Sequence, residues 1–353
     1  YERIDYERAL AAPYGIRDFK LDRMRELLDR VGNPQQNLPI VHVAGTKGKG
    51  STTVMIAAAL TAAGYRTGAF TSPHLDCVEE RLAIDGQPCS AEELIELVEY
   101  VAPIVREMDR LAAGGPAAES GPTYFEITTA LALLRFARHR AGAAVLEVGM
   151  GGRLDSTNVC QPQVAVITSI SFDHMRQLGN TLGAIAREKA GIIKPGVPVV
   201  SGVEEEEPRE VIRQTCRRLG CTLAELGVDF HYRYRPPLGL ENAPSPSRLD
   251  FIYPALDGEF DLHDLAIALA GRHQAANAAV AVAALVELTR IGWNIPAAAI
   301  RQGLAGVLWP ARAEVVARRP VVVIDAAHNL ASVAALVRLL DESFSARRRL
   351  LVF

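Results

Sequence analysis

The sequence predicts an α/β fold: a mainly parallel sheet with flanking helices, followed by a smaller C-terminal α/β, Rossmann-like domain. Three observations carry this. A β-branched run at residues 40–43 enters the glycine-rich stretch Gly45-Thr46-Lys47-Gly48-Lys49-Gly50-Ser51, and an alanine-rich helical segment follows at 52–63. Strand-like and helical runs then alternate, as parallel strands joined by helices do. After Trp309-Pro310-Ala311-Arg312 a second strand–turn–helix pattern starts at Val321. The expected organisation is a loop-bearing domain over 1–307, a linker at 308–312 and a C-terminal domain over 313–353. That last domain reads as truncated, because Leu350-Leu351-Val352-Phe353 looks like a buried strand with no turn after it.

In chain order, Gly64 ends the first helix and residues 67–70 read as a strand. Ser90-Ala91-Glu92-Glu93 has the capping-box pattern. The helix it opens carries Leu94, Leu97, Val98, Val101, Ile104, Val105 and Met108 at helical spacing. A loop rich in Ala, Gly and Pro is expected at 112–122 and a helix at 123–140. Residues 143–148 read as a buried strand running into Gly149-Met150-Gly151-Gly152. Another strand is expected at 164–170, then a polar turn, a helix near 181–190, a Pro195-Gly196 stop and a strand at 197–201. From about 226 to 270, short alternating runs with prolines predict an antiparallel appendage. The alanine-rich helix at 273–288 is expected to be core. The last unit reads as a strand at 321–324, the turn Asp325-Ala326-Ala327-His328-Asn329, a helix to about Leu340 and a strand at 349–353.

The strand–loop–helix at 40–63 has the layout of a phosphate-binding P-loop. Its glycines let the backbone turn sharply and approach an anion. Backbone N–H groups and the helix N-terminus supply a positive field. Lys49 adds a point charge for the β- and γ-phosphates, and Ser51 a hydroxyl. The spacing is not the usual G-x-x-x-x-G-K-[ST], since Gly50 separates Lys49 from Ser51. A nucleotide triphosphate needs a divalent cation with oxygen ligands, drawn from the C-terminal ends of parallel strands. Ser72, Glu147 and His174 occupy such positions. Asp173 is preferable to His174 on ligand hardness. The competing readings, less favoured, are a buried paired carboxylate for Glu147 and a plain loop histidine for His174. The charged run 187–196 could be a solvated helix face.

The chain has 353 residues, 49% hydrophobic and 22% charged, with net charge −3. That balance is globular and leaves no basic footprint for nucleic acid. No apolar run reaches the ~18 residues of a membrane span, and residues 1–6 contain no secretory core. Five cysteines, odd in number and without Cys-x-x-Cys, fit reduced thiols in a cytoplasmic protein.

The chain resembles the folylpolyglutamate synthase/dihydrofolate synthase family of Mur-type amide ligases over nearly its whole length. The resemblance rests on the loop at 45–51, Thr71-Ser72-Pro73-His74-Leu75, Thr123-Tyr124-Phe125-Glu126, the stretch 146–158, Phe172-Asp173-His174, the segment 187–196, His273-Gln274 with Asn277, Trp309-Pro310 with Arg312, and Asp325–Asn329. It implies a Mur ligase central domain and an ATP-dependent ligase, which activates a carboxylate as an acyl phosphate and joins it to the amine of L-glutamate. Folate or dihydropteroate would be the acceptor. By motif position, Gly45, Thr46, Lys47, Gly48, Lys49, Gly50, Ser51, Asn277, Arg312, Asp325 and His328 would hold ATP. Ser72, Glu147 and His174 would bind Mg²⁺, overriding Asp173, and Mn²⁺ is expected to substitute. Lys189 would be carbamylated and act as a further metal ligand. Catalysis would rest on Lys49, Lys189, His174 and Glu147. Residues 71–81 correspond to a loop near the folate site, and Tyr124, Phe125 and Asp155 to positions around the pterin, although Tyr124 and Phe125 also suit helix-start packing. A monomer is expected, with no nucleic-acid or membrane partner.

The chain departs from the family pattern in places. Lys47 stands where Asn is usual, Met175-Arg176-Gln177 follows His174, and Ala311 and Ala326 replace glycines. None of these removes an expected ligand. Two other readings compete. A Mur-type ligase for UDP-linked peptides would need an additional N-terminal domain, and only ~40 residues precede the loop. A P-loop regulatory NTPase would not respond to glutamate.

Overall fold

The computed structural model describes residues 21–114, 121–254, 260–346 and 348–352. Part of the expected 112–122 loop, and residues 1–6, fall outside these. The elements run α1 (Leu21–Arg30), β1 (Ile40–Ala44), α2 (Lys49–Ala62), β2 (Thr67–Phe70), β3 (Leu82–Ile84), α3 (Ala91–Ala113), α4 (Tyr124–Arg138), β4 (Ala143–Glu147), β5 (Pro162–Ile167) and α5 (Met175–Leu178). They continue with α6 (Leu182–Ala190), β6 (Val199–Ser201), α7 (Glu206–Leu219), β7 (Leu223–Glu225), β8 (His231–Arg235), β9 (Ser247–Ile252), β10 (Leu262–Ile267), α8 (Arg272–Arg290), α9 (Ala297–Gly306), β11 (Glu314–Arg318), β12 (Val321–Ile324) and α10 (Leu330–Ser343).

Seven strands form the main sheet in the order β3-β2-β4-β1-β5-β6-β7, all parallel except β3. β1 lies between β4 and β5, and every residue of it is buried. Strands covered on both faces read as continuous apolar runs rather than alternating ones, as Ile40, Val41 and Val43 do here. The chain order reverses around β1, so the loops after β1, β4 and β5 open together at one edge, where α/β sheets bind ligands. One face of the sheet packs on α2 and α8, and the other on α1, α3 and α4. Helix α8 is buried nearly all round, its alanines letting it lie between the main sheet and the three-stranded antiparallel sheet β10-β9-β8. β9 alternates buried and half-buried residues, the pattern of a sheet with one covered face.

Two expectations need correction. Ser90 caps α3 by accepting the Glu93 N–H at 3.1 Å, but Glu93 does not return the bond. Its carboxylate instead bridges Arg135 Nε on α4 at 2.9 Å and Nε2 of His139, the C-cap of that helix, at 2.7 Å. A charged partner outcompetes a neutral backbone N–H. The reciprocal box forms at α4, between Thr123 and Glu126. Among the described residues the strand expected at 349–353 does not appear either: residues 349–352 are exposed and belong to no sheet, and residue 353 lies outside the described residues. Strands require a paired neighbour. The C-terminal sheet, among the described residues, consists of the antiparallel pair β11–β12.

Candidate active site

Helix α2 begins at Lys49, three residues earlier than its apolar pattern suggests. Its first turn holds no acidic residue, and Gly48 at the N-cap offers no side chain. The N–H groups of that turn therefore lack a side-chain cap, and a cation sits where the helix field is already positive, an arrangement that suits a bound anion. Gly48 has φ +81°, and a Cβ there would lie 2.1 Å from Asn277 Oδ1. A Cβ at Gly45 would lie 1.9 Å from Thr168 Oγ1. Gly45 also has positive φ, at +153°, so a side chain at either position would be strained and would have to displace its neighbour.

The loop is tied to the turn after β5. Thr46 N–H donates to Ser169 O at 2.8 Å, Lys47 N–H to Ser169 Oγ at 3.0 Å, and Thr168 Oγ1 to Lys47 O at 2.7 Å. Lys47 Nζ pairs with Asp173 Oδ2 at 2.9 Å. Burial pushes the Asp173 carboxyl up, but the hydrogen bond and charge of Lys47 outweigh it and hold it below its ordinary value.

A cavity of about 590 Å³ opens at this edge. Residues 46–51, Ser72, Glu147, Asp173 and His174 line one part of it; Phe125 and Asp155 line another; Trp309, Arg312 and His328 close over it from the C-terminal side. Glu147, only 4% exposed, ends β4, and its Oε2 accepts the Ser72 N–H at 3.0 Å. A Cβ on Gly50 would come within 3.3 Å of the same oxygen, which places the carboxylate against the start of α2. Burial lowers the pKa of His174, with Lys49, Lys189 and Lys47 adding to the effect against Asp173, so the imidazole is a neutral donor. One carboxylate, one hydroxyl and one imidazole suit a divalent cation that takes its remaining oxygens from phosphates. Among the described residues no three His, Cys, Asp or Glu side chains gather as a self-sufficient metal site.

Lys189 lies behind the loop rather than on the cavity wall. It is 4% exposed, and Nζ donates to Gly45 O at 2.8 Å. Burial, then the charge of Lys49, brings its pKa down to about 7. The segment 187–196 is thus no simple solvated face, although Glu188 does pair with Arg153 at 2.9 Å near the surface.

The remaining expected residues divide. Asn277 abuts Gly48 and donates to Gln274 Oε1 at 3.0 Å. Arg312 stacks on Trp309, 5.9 Å from the ring centroid. Trp309 Nε1 is buried and has no hydrogen-bond partner among the described residues. Asp325 does not line the cavity; its carboxylate accepts the N–H groups of Ala313 and Ala327 at 2.8 and 2.7 Å, fixing the turn that presents His328. Phe125 packs on Phe70 with ring centroids 5.7 Å apart and also lines the cavity, whereas Tyr124 sits under the Arg81 guanidinium at 5.4 Å and does not. Asp155 Oδ2 accepts the Met150 N–H at 3.0 Å and Oδ1 the Thr157 N–H at 3.0 Å.

The chain matches the Mur ligase middle domain over residues 43–285. It is 39% identical over 338 residues to the dihydrofolate synthase/folylpolyglutamate synthase of Bacillus subtilis, spanning 94% of this chain and 74% of that one. It is 37% identical over 324 residues to the folylpolyglutamate synthase of Lacticaseibacillus casei, spanning 92% and 72%. This chain belongs to the folylpolyglutamate synthase/dihydrofolate synthase family of Mur-type ligases. The structure of an FPGS–AMPPCP–folate complex superimposes with a TM-score of 0.84 at 35% identity, covering 94% of this chain and 77% of that one.

In this member of the family, Arg23 carries no local signal in the sequence. It reaches the cavity from α1 and donates Nε to both Glu126 oxygens, at 3.1 and 2.8 Å, across 103 residues of chain. The Thr123-x-x-Glu126 spacing is a capping-box pattern, an unused local signal for Glu126. Trp309 was legible as part of a motif, but not as the ring that covers Gly50, whose Cβ would lie 3.0 Å from it.

Proposed function

We propose that this protein is an ATP-dependent amide ligase that adds L-glutamate to a folate, to dihydropteroate or to both, through an acyl phosphate, releasing ADP and phosphate. One observation carries the reading: the phosphate loop and the Phe125–Asp155 wall belong to a single cavity. A nucleotide γ-phosphate and a carboxylate-bearing pteridine can therefore meet there. The relatives named folylpolyglutamate synthase, and the complex with AMPPCP and folate, support it. The regulatory NTPase and the UDP-peptide ligase are not favoured.

In this reading, Lys49 and the α2 N-terminus hold the β- and γ-phosphates in line with the substrate carboxylate. The carboxylate oxygen bonds to the γ-phosphorus as ADP leaves. The glutamate amine then bonds to the acyl carbon, phosphate leaves and the nitrogen loses a proton. Such chemistry depends on positioning and charge neutralisation. A divalent cation held by Ser72, Glu147 and His174 would neutralise phosphate charge. Lys189, as the free amine, adds CO₂ through nitrogen and releases a proton, leaving an anionic carbamate. Asn277, Arg312 and His328 border the nucleotide, with Asp325 holding the His328 turn. Trp309 and Arg312 exclude water from the acyl phosphate. Asp155 and Phe125 hold the pterin, with Tyr124 behind them.

The same proposal includes domains over 1–307 and 313–353 joined at 308–312, a monomeric state and a cytoplasmic location. The five free cysteines fit the cytoplasmic part of it. Among the described residues no helix is long and apolar enough to cross a membrane. The test is phosphate release from ATP with glutamate and either dihydropteroate or tetrahydrofolate. Release should require both glutamate and a pteridine, and the pteridine that works decides between one activity and two. Glutamate-independent ATP hydrolysis would overturn the reading.

A further inference from the structure

His42 occupies the middle of β1 and is 0% exposed. A histidine there is costly, because a buried polar ring must find hydrogen bonds. It finds two. Nε2 lies 2.8 Å from Thr157 Oγ1, and Nδ1 lies 3.6 Å from Cys160 Sγ. Thr157 Oγ1 in turn contacts Asp155 Oδ1 at 2.5 Å.

The direction of these bonds follows from what each group can do. An ionised carboxylate only accepts, so the Thr157 hydroxyl proton points to Asp155. The hydroxyl oxygen must then accept from His42, which puts the ring proton on Nε2. Nδ1 is left as an acceptor for the Cys160 thiol. Burial, assisted by Lys194, pushes the His42 pKa down to about 3, and burial pushes the Cys160 thiol up to about 12. Both groups keep the protons this chain of bonds needs.

We propose that His42 and Thr157 are positioning residues for Asp155: a one-way hydrogen-bond chain, Cys160 to His42 to Thr157 to Asp155, holds the carboxylate at the substrate end of the cavity, ready to accept from the N–H donors of a pteridine ring. This rests on the reading of Asp155 as a substrate contact. A purely structural Asp155 would need only the backbone N–H bonds of Thr157 and Met150, which already cap the 156–159 turn. The Thr157 hydroxyl gives Oδ1 a second donor, and the imidazole fixes the direction of that hydroxyl.

The experiment compares steady-state kinetics of Thr157→Val, Thr157→Ser, His42→Gln, His42→Leu and Asp155→Asn with ATP, glutamate and the pteridine that supports turnover. Thr157→Val should raise KM for the pteridine about tenfold while KM for ATP and glutamate stays within about twofold. Thr157→Ser keeps the hydroxyl and should restore it. His42→Gln keeps a donor at the Nε2 position and should stay within about threefold of the parent, whereas His42→Leu should follow Thr157→Val. Should His42→Leu fail to fold, the Thr157 pair decides. Nitrogen-15 NMR of the histidine ring should show the neutral Nε2–H tautomer; an Nδ1–H tautomer reverses the chain and overturns the proposal. A normal pteridine KM in Thr157→Val, with a raised one in Asp155→Asn, overturns the positioning role and leaves the substrate reading standing. A normal KM in Asp155→Asn removes both.

Discussion

Lys189 Nζ donates to the carbonyl oxygen of Gly45 at 2.8 Å, so helix α6 braces the phosphate loop from behind. This contact takes a lysine out of water and sets it near Lys49. Together these bring its amine to about 7 from an ordinary 10.5.

An amine with that pKa is substantially unprotonated at neutral pH, which is the condition for adding CO₂. Lys189→Ala should lose about 10²-fold or more in ligase activity, with partial recovery in bicarbonate or small carboxylates. Lys189→Arg should fail as well, although it keeps a positive charge, because guanidinium does not form the carbamate. Glutamate-dependent phosphate release measures all three. Full activity in the arginine variant would mean that a cation is all the site requires.

Lys49→Ala removes the point charge at the first turn of α2. ATP turnover should fall by about 10²-fold or more while the thermal unfolding midpoint stays close to that of the parent. Near-normal turnover would mean that the loop does not hold the transferring phosphate.

Glu147→Gln keeps the shape of the side chain that accepts the Ser72 N–H but removes its charge. Activity should then need a higher Mg²⁺ concentration, with nucleotide affinity less affected. Mn²⁺ should support the parent enzyme, given that the imidazole of His174 lines the same cavity as the carboxylate. Titration of activity against each metal is the measurement, and an unchanged Mg²⁺ requirement would take Glu147 out of the metal shell.

His42 stays neutral in the folded chain down to about pH 3, but in the unfolded chain it protonates below its ordinary 6.5. The unfolded state therefore binds the extra proton as pH falls. The contribution of His42 is fully present above pH 6.5 and is lost between there and about pH 3, roughly 5 kcal/mol across the window. Denaturant unfolding at pH 7, 5.5 and 4.5 should show a shallower acid decline in His42→Gln than in the parent. Parallel declines would place the acid sensitivity elsewhere.

Much of the architecture was legible because its signals are local. The β-branched run at 40–43 and the glycines after it announce strand, loop and helix within about a dozen residues. The antiparallel appendage showed itself through alternation, and α8 through an unbroken alanine-rich face. The capping pattern at Ser90 misled, because nothing local reveals that Arg135 and His139 would claim Glu93. The apolar run at 350–352 misled for a related reason, since apolar character does not supply a neighbouring strand.

By itself the sequence determined the phosphate loop, the parallel sheet that carries it and the residue types available at its edge. Only the tertiary structure decided what those residues are chemically. It buried Lys189 under Gly45, set Arg23 on Glu126, gave the Asp325 carboxylate to backbone N–H groups, and put His42 behind Thr157 and Asp155. The physical reason is that loops and periodicities depend on neighbours in the chain. Protonation states and hydrogen-bond direction depend instead on desolvation and on partners, which for Lys189, Arg23 and His42 folding brings from more than a hundred residues away.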